Sequence, residues 1–352
     1  MSLTRRGKTV AGAGISLALV LVAVVYFAVF PSKAPAFVQQ AMSKVGIGGE
    51  APPPPACPLT GVPAPHGRIP TRPALAIKVE NLPEARPQAG LDRGDVVFEE
   101  PVEGGITRFI AIFQCHDAGR VGPVRSGRLE DPDVLVQFGR PAIGYAGGVN
   151  AVKSAIAKAG LIDVNYIVAA SAYTRDPNRP APHDLYTSTQ ALWKAAKSRA
   201  GAPDPVFTFS PDIRGKSRAV RTVHLPFSSY SDVYWKWSKR DNGWLRFHGT
   251  QAHLLEDGRQ VSAQNVVVMQ VEVRPGAILD AAGNPSPVVT LTGSGKAYVF
   301  RDGRMIVGRW ERPTLSDVTR FVAKDGTDIA LAPGVTWVEL LPSTIPVEAQ
   351  RK

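Results

Sequence analysis

The sequence predicts an α+β protein, with a mixed-sheet N-terminal domain of α/β type followed by a strand-rich C-terminal domain. Apolar runs with strand and helix periodicity alternate over residues 57–210 without a regular βαβ repeat, which argues against a doubly wound fold. Over residues 218–345, alternating apolar segments are joined by Asn242-Gly243, Asp302-Gly303 and Asp325-Gly326, dipeptides that favour tight hairpins. The 352 residues are 44% hydrophobic, enough for a sizeable core and, by length, for two domains.

In chain order, residues 1–9 read as a cytoplasmic tail carrying Arg5, Arg6 and Lys8, and residues 10–30 as an uncharged apolar run. At about 1.5 Å per residue that run can cross a hydrocarbon core of roughly 30 Å. Basic residues stay on the cytoplasmic side, so the expectation is a single-pass, N-in membrane anchor with the folded part outside the cell membrane. Ala34-Pro35-Ala36 would suit cleavage of a signal peptide, but the apolar run exceeds the usual signal core of about 7 to 15 residues. Residues 31–56 form a Pro/Ala-rich linker ending in Pro52-Pro53-Pro54-Pro55, an extended spacer.

In the N-terminal domain, Arg72–Asn81 reads as a strand with Leu75, Ile77 and Val79 on one face. Asp95–Glu99 and Ile106–Cys115 follow, and the unbroken run Phe109–Phe113 marks the latter as a central strand buried on both faces. Pro141–Ala146 is a further strand candidate. A helix is predicted from Asn150 to Gly160, with Val152, Ala155, Ile156 and Ala159 at helical spacing, and another over 189–199 capped by Ser188. In the C-terminal domain, Val233–Trp237, Trp244–Phe247, Gln264–Val273, Ala297–Phe300, Met305–Val307, Arg320–Val322, Asp328–Leu331 and the stretch around Trp337 read as strands of a twisted antiparallel sheet or small barrel.

Removing the three basic tail residues from the formal charge of +11 leaves +8 for residues 9–352. Outside a cell such a surface suits acidic wall polymers, lipid headgroups or acidic glycans rather than nucleic acid, or serves only solubility. The two cysteines, Cys57 and Cys115, both fall on the outer side and are expected to pair.

Several ordered motifs carry a family resemblance: ARPQAGL at 85–91, DVVFEEPVEGGITRF at 95–109, GPVRSGR at 122–128, GYAGGV at 144–149 and PHDLYTS at 182–188. With Asn265–Val268, Lys296–Trp310 and Leu331–Trp337, the chain resembles the YerB-like exported protein family, a domain of unknown function (DUF3048), over roughly residues 57–342. The resemblance implies an exported, often lipid-anchored protein and no particular reaction. No cysteine follows the apolar run closely enough for lipidation, so the anchoring here departs from the lipoprotein pattern.

The polar chemistry concentrates in Glu99–Arg128. Glu100 and Glu103 are candidate acid and base for a glycosidic bond, split in pKa by Arg108; otherwise they form an ion-pair network around Gly104-Gly105. Arg125, Ser126 and Arg128 lie in a turn-rich loop suited to carboxylate or phosphate, and Gly147-Gly148 before the helix at Asn150 could add backbone N–H donors. Alternatively these arginines pair with Glu99, Glu100 or Glu103. His183 and Tyr186 are expected on a rigid lip beside the same pocket, and a Ser126–His183–Asp184 triad is disfavoured because adjacent residues cannot easily orient one another. The aromatics Tyr234, Trp235, Trp237 and Trp244 are either a sugar-stacking face or sheet packing. No metal-ligand spacing, phosphate-binding loop or dinucleotide fingerprint occurs, so no metal or cofactor is expected. The leading expectation is a binder of an anionic or glycan component of the bacterial cell envelope. The alternatives are an envelope glycan hydrolase using Glu100 and Glu103, and a scaffold for other envelope proteins.

Overall fold

Alternation along the first strand decides how the protein layers. In the computed structural model, which describes residues 54–197, 200–280 and 282–351, β1 (Leu75–Glu80) is buried on both faces. Leu75, Ile77 and Val79 enter one core, and Ala76 enters another on the opposite side of the sheet. Two cores on either side of one sheet require two covering layers.

The N-terminal elements are β1, β2 (Val96–Pro101), β3 (Thr107–Phe113), helix α1 (Asp131–Leu135), β4 (Ala142–Gly144), α2 (Asn150–Lys158), β5 (Ile162–Asp163), β6 (Tyr173–Arg175), β7 (Leu185–Thr187) and α3 (Thr189–Ala196). Each predicted strand and helix of this part is present. Ser188 caps α3 as expected, its side chain accepting from the Ala191 N–H. α1 is not among the predicted elements.

The later strands are β8 (Arg218–Ala219), β9 (Thr222–Pro226), β10 (Asp232–Ser238), β11 (Gly243–His248), β12 (Gln251–Ala252), β13 (Ser262–Ala263) and β14 (Asn265–Val271). They continue as β15 (Val273–Leu279), β16 (Pro285–Val289), β17 (Gly293–Arg301), β18 (Arg304–Arg312), β19 (Arg320–Ala323), β20 (Thr336–Pro342) and β21 (Glu348–Gln350). The turns at Asn242 and Asp302–Gly303 have positive φ, as tight hairpins require. The third turn is followed by no strand: Asp328 makes one bridge to Val322, and Leu331 pairs with Phe209 instead.

The large sheet has the order β19-β18-β17-β14-β20-β2-β3-β1-β4-β5, with β8 also on β18. β20 lies parallel to both β14 and β2, so strands of both parts share one mixed sheet rather than the antiparallel sheet or barrel expected for the second part. Sequence patterning could not show this, since β20 is buried along nearly its whole length and advertises no partner. A second sheet, β12-β11-β10-β9-β21, packs Val223, Val233, Trp235 and Trp244 against the face carrying Ile77 and Phe109. On the opposite face, Val134 and Leu135 of α1 and Val152 and Ile156 of α2 cover Ile110 and Ile112. Residues 55–352 form one compact unit, and Cys57 and Cys115 are joined as a disulfide that ties its start to the end of β3. Closing a loop with a sequence separation of 58 contributes about 4 kcal/mol in the chain-entropy model.

The predicted anchor at 10–30 and the linker up to residue 53 lie outside the described residues; among those described, no helix is long and apolar enough to cross a membrane.

Candidate functional site

The apolar rows of β1, β2 and β3 give way to charge at one end of the strands. Glu80 faces Arg108 across β1 and β3, and Glu100 faces the same Arg108 across β2 and β3, so three charged residues stand in a row on the α-helical side of the sheet. Two residues back along β1 is Lys78, fully buried, whose ammonium donates to Glu100 and, at 2.6 Å, to Asp131 of α1. Burial raises the Glu100 carboxyl to about 7 despite Lys78, and Asp131 adds to the rise. Burial and the nearby Glu100 and Asp131 push Glu130 well above the carboxylate range.

Above this floor lies the loop from Val121 to Arg128. Its backbone is threaded onto the sheet by Arg125 N–H to Lys78 O (3.0 Å) and Ala146 N–H to Arg125 O (3.0 Å). Arg125 then lies 2.9 Å from Glu80, and His183 Nδ1 lies 2.8 Å from the other Glu80 oxygen. Arg128 pairs with Glu103, and Arg108 donates to the Ser126 carbonyl at 3.1 Å. Burial, followed by the like charges of Arg128 and Arg125, lowers the Arg108 guanidinium to about 10. The Nε atoms of Arg108 and Arg128 are buried and hydrogen-bond to nothing among the described residues.

This loop and Gly148 form one wall of a cleft of about 220 Å³. Gly147 and Gly148 have φ of 90° and 130°, and a Cβ at Gly147 would come within 2.9 Å of the Ser126 hydroxyl, so glycine is required for the close approach. The nine-residue helix α2 begins after one further residue, Val149, and Val149 and Val152 line the cleft at this start of the helix. The opposite wall comes from the later part of the chain. The β15–β16 hairpin supplies Ile278, Leu279 and Asp280, and its Ser286 donates to Glu103. Burial would raise Glu103, but Ser286 and Arg128 outweigh it and hold the carboxyl below its usual range.

The site expected from sequence is therefore assembled in part. Glu103, Ser126, Arg128 and Gly148 line one cleft with Gly147 beside them; Arg108 meets it only through the Ser126 carbonyl, and Arg125 and His183 gather on Glu80 rather than on its lining. Tyr186 is not on this cleft. Its hydroxyl donates to Glu256 at 2.6 Å and its ring lies 3.5 Å from the Arg120 guanidinium, in a cluster that fastens β7 to the segment after β12. A Ser126–His183–Asp184 triad is absent, since His183 is held by Glu80 and Asp184 by Arg175. Glu100 has no exposed surface and is clamped by Lys78, so it cannot reach a glycosidic oxygen. Trp235 and Trp244 are buried between the sheets and the half-buried Trp237 packs on Trp244, so these three serve packing, while the half-buried Tyr234 stacks on His224. Among the described residues no group of three or more His, Cys, Asp or Glu could hold a metal ion.

Sequence reasoning missed Lys78, Glu80, Asp131 and the β15–β16 hairpin. For the first two a signal existed: placing Leu75, Ile77 and Val79 on one face puts Ala76, Lys78 and Glu80 on the other, and a strand buried on both sides leaves those charges in need of partners. The hairpin carries none, because Arg274-Pro275-Gly276 and Pro285-Ser286-Pro287 break any alternation.

The protein is thus built on a mixed sheet covered on both faces, which buries a charged row beside a cleft that Arg128 lines. Its family is the one described as "Protein of unknown function (DUF3048)": the N-terminal domain model matches residues 59–202 and the C-terminal domain model residues 223–338, and the chain belongs to this family. It is 28% identical over 292 residues to the "Putative lipoprotein YerB" of Bacillus subtilis (strain 168), covering 81% of this chain and 86% of that protein. The crystal structure of YerB from Bacillus subtilis superposes with a TM-score of 0.71 at 25% identity, over 84% of this chain and 99% of that one.

Proposed function

We propose that the folded unit works outside the cytoplasm, held at the cell membrane by residues 10–30, and that its arginine cleft binds an anionic group of the cell envelope. The relative's description as a lipoprotein, the Cys57–Cys115 disulfide and the excess positive charge support the compartment. The observation that carries the binding reading is the crowding of Arg108, Arg125 and Arg128, with two buried guanidinium Nε groups unpaired and like charge felt at Arg108. An anion bridging Ser126, Arg128 and the N–H groups after Gly148 relieves that crowding. A carboxylate or phosphate fits better than an uncharged glycan, because the tryptophans of the β10–β11 hairpin that could stack on sugars are largely turned into the interior.

The test is co-sedimentation of residues 55–352 with insoluble envelope material. Arg128→Gln should weaken binding at least tenfold, with near-UV circular dichroism unchanged, and wild-type binding should fall as salt is raised. Equal sedimentation of a folded Arg128→Gln protein overturns the reading.

A further inference from the structure

The cleft that holds Arg128 is not polar throughout. Val152 and Leu129 line it on the side of α2, and Ile278 and Leu279 on the side of the hairpin. At its mouth Val149 is 44% and Leu279 59% exposed, so two aliphatic side chains face solvent on either side of a cationic floor. Isolated exposed aliphatics need no explanation, but a facing pair above a guanidinium with a buried, unpaired Nε makes an amphiphilic slot. The charged groups around it are also arranged asymmetrically: Glu103 is already committed to Arg128 and Ser286, and Asp280 is turned onto Asn284 and the backbone of its own turn. The remaining donors are those of Ser126, Arg128 and the start of α2.

Resting on the anion-binding reading above, we infer that the cleft selects a carboxylate carried on a short aliphatic body, with the carboxylate at Arg128 and the apolar part between Val149 and Leu279. The volume of about 220 Å³ equals roughly seven waters at about 30 Å³ each. That holds a group the size of pentanoate or the last residue of an aliphatic peptide, and not a long acyl chain. The hairpin wall comes from the C-terminal family segment and the arginine wall from the N-terminal one, so recognition needs both.

The experiment titrates residues 55–352 with acetate, pentanoate, octanoate, N-acetylleucine and inorganic phosphate by calorimetry. Use of this part alone is justified because it is one compact unit, and the relative crystallised over a matching span. Affinity should rise about fourfold for each methylene buried, from acetate to pentanoate, and then level off. Leu279→Ser, at an exposed position that does not endanger folding, should remove several-fold of the pentanoate gain and leave acetate unchanged. N-acetylleucine matching pentanoate identifies a peptide end as the source, whereas octanoate binding well above pentanoate would overturn the short aliphatic body. A flat series in which acetate and pentanoate bind equally overturns this inference and leaves the anion reading standing. No binding of any carboxylate overturns the inference too, and loss of envelope sedimentation besides would sink both.

Discussion

Glu99 and Glu100 are neighbours on β2, yet they belong to opposite faces of the large sheet and to opposite kinds of polar cluster. Glu99 points under the second sheet. There it pairs with Arg246 at 2.6 Å, both fully buried, while Arg246 also meets His253 Nδ1 at 2.8 Å and His253 Nε2 meets Gln88 at 2.9 Å. Across the parallel register from Glu99 is Glu339, which accepts from the Trp235 indole at 2.7 Å. Burial, with Glu99 beside it, pushes Glu339 well above the carboxylate range. Glu100, on the other face, belongs to a network that reaches the surface through Arg108, Arg125 and Arg128. One residue's step along a strand separates a sealed cluster that fastens two sheets from an open one that can meet a ligand. Buried charge alone therefore does not mark a site; an exit to solvent does.

The sharpest way to break this contrast is at Arg246. Arg246→Met leaves Glu99 buried without its cation, and should cost about 3–5 kcal/mol, read from urea unfolding. Adding Glu99→Gln should recover part of that loss, because the uncompensated charge is then gone. Arg128→Gln, on the open face, should cost far less stability while removing binding. Equal destabilisation by the two arginine variants would erase the distinction between the faces.

A smaller effect follows from Glu100. Its folded pKa, raised to about 7, lies above the ordinary value of 4.5, so the folded protein holds a proton that the unfolded chain has released between those values. Its contribution to stability is complete below about pH 4.5 and is lost as pH rises towards 7. Other groups titrate in the same range: His116 and His224 are raised and their contributions also fade with rising pH, whereas His253 is lowered and acts oppositely. The difference between wild type and Glu100→Gln isolates the term. Wild type should lose stability relative to the variant from pH 5 to 7.5, and a constant difference across that range would refute the raised pKa.

The same contrast explains what the sequence could disclose. Strands β1, β2, β3, β14, β17 and β18 and helices α2 and α3 announce themselves because periodicity is local. Which strand lies beside which is not local: Thr336–Pro342 fits between β14 and β2 only because both expose parallel ladders, and no residue within it encodes that choice. The site was legible on one wall for the same reason. Glu103, Ser126, Arg128 and Gly148 share one stretch of polar motifs, whereas Ser286 and Leu279 come from a hairpin about 180 residues away from Glu103 and converge with them only after both parts fold. His183 is held by Glu80, and Tyr186, three residues on, lies within β7 and turns to Glu256 and Arg120, away from the cleft.

The mildest perturbation tests whether the hairpin wall belongs to the open cluster at all. Ser286→Ala removes one hydroxyl that donates to Glu103, a loss of about 1.5 kcal/mol, the low end for a hydrogen bond to a charged group. Glu103 should then titrate higher, since Ser286 is the chief influence holding it down against burial. Because its folded pKa lies below the ordinary value, Glu103 contributes stability above pH 4.5 that disappears as pH falls through the folded pKa. Ser286→Ala should therefore bring that acid-side loss to a higher pH, measured as the urea midpoint between pH 3 and 6. An unchanged acid limb would mean that the hairpin merely rests beside Glu103, and that the cleft has one functional wall instead of two.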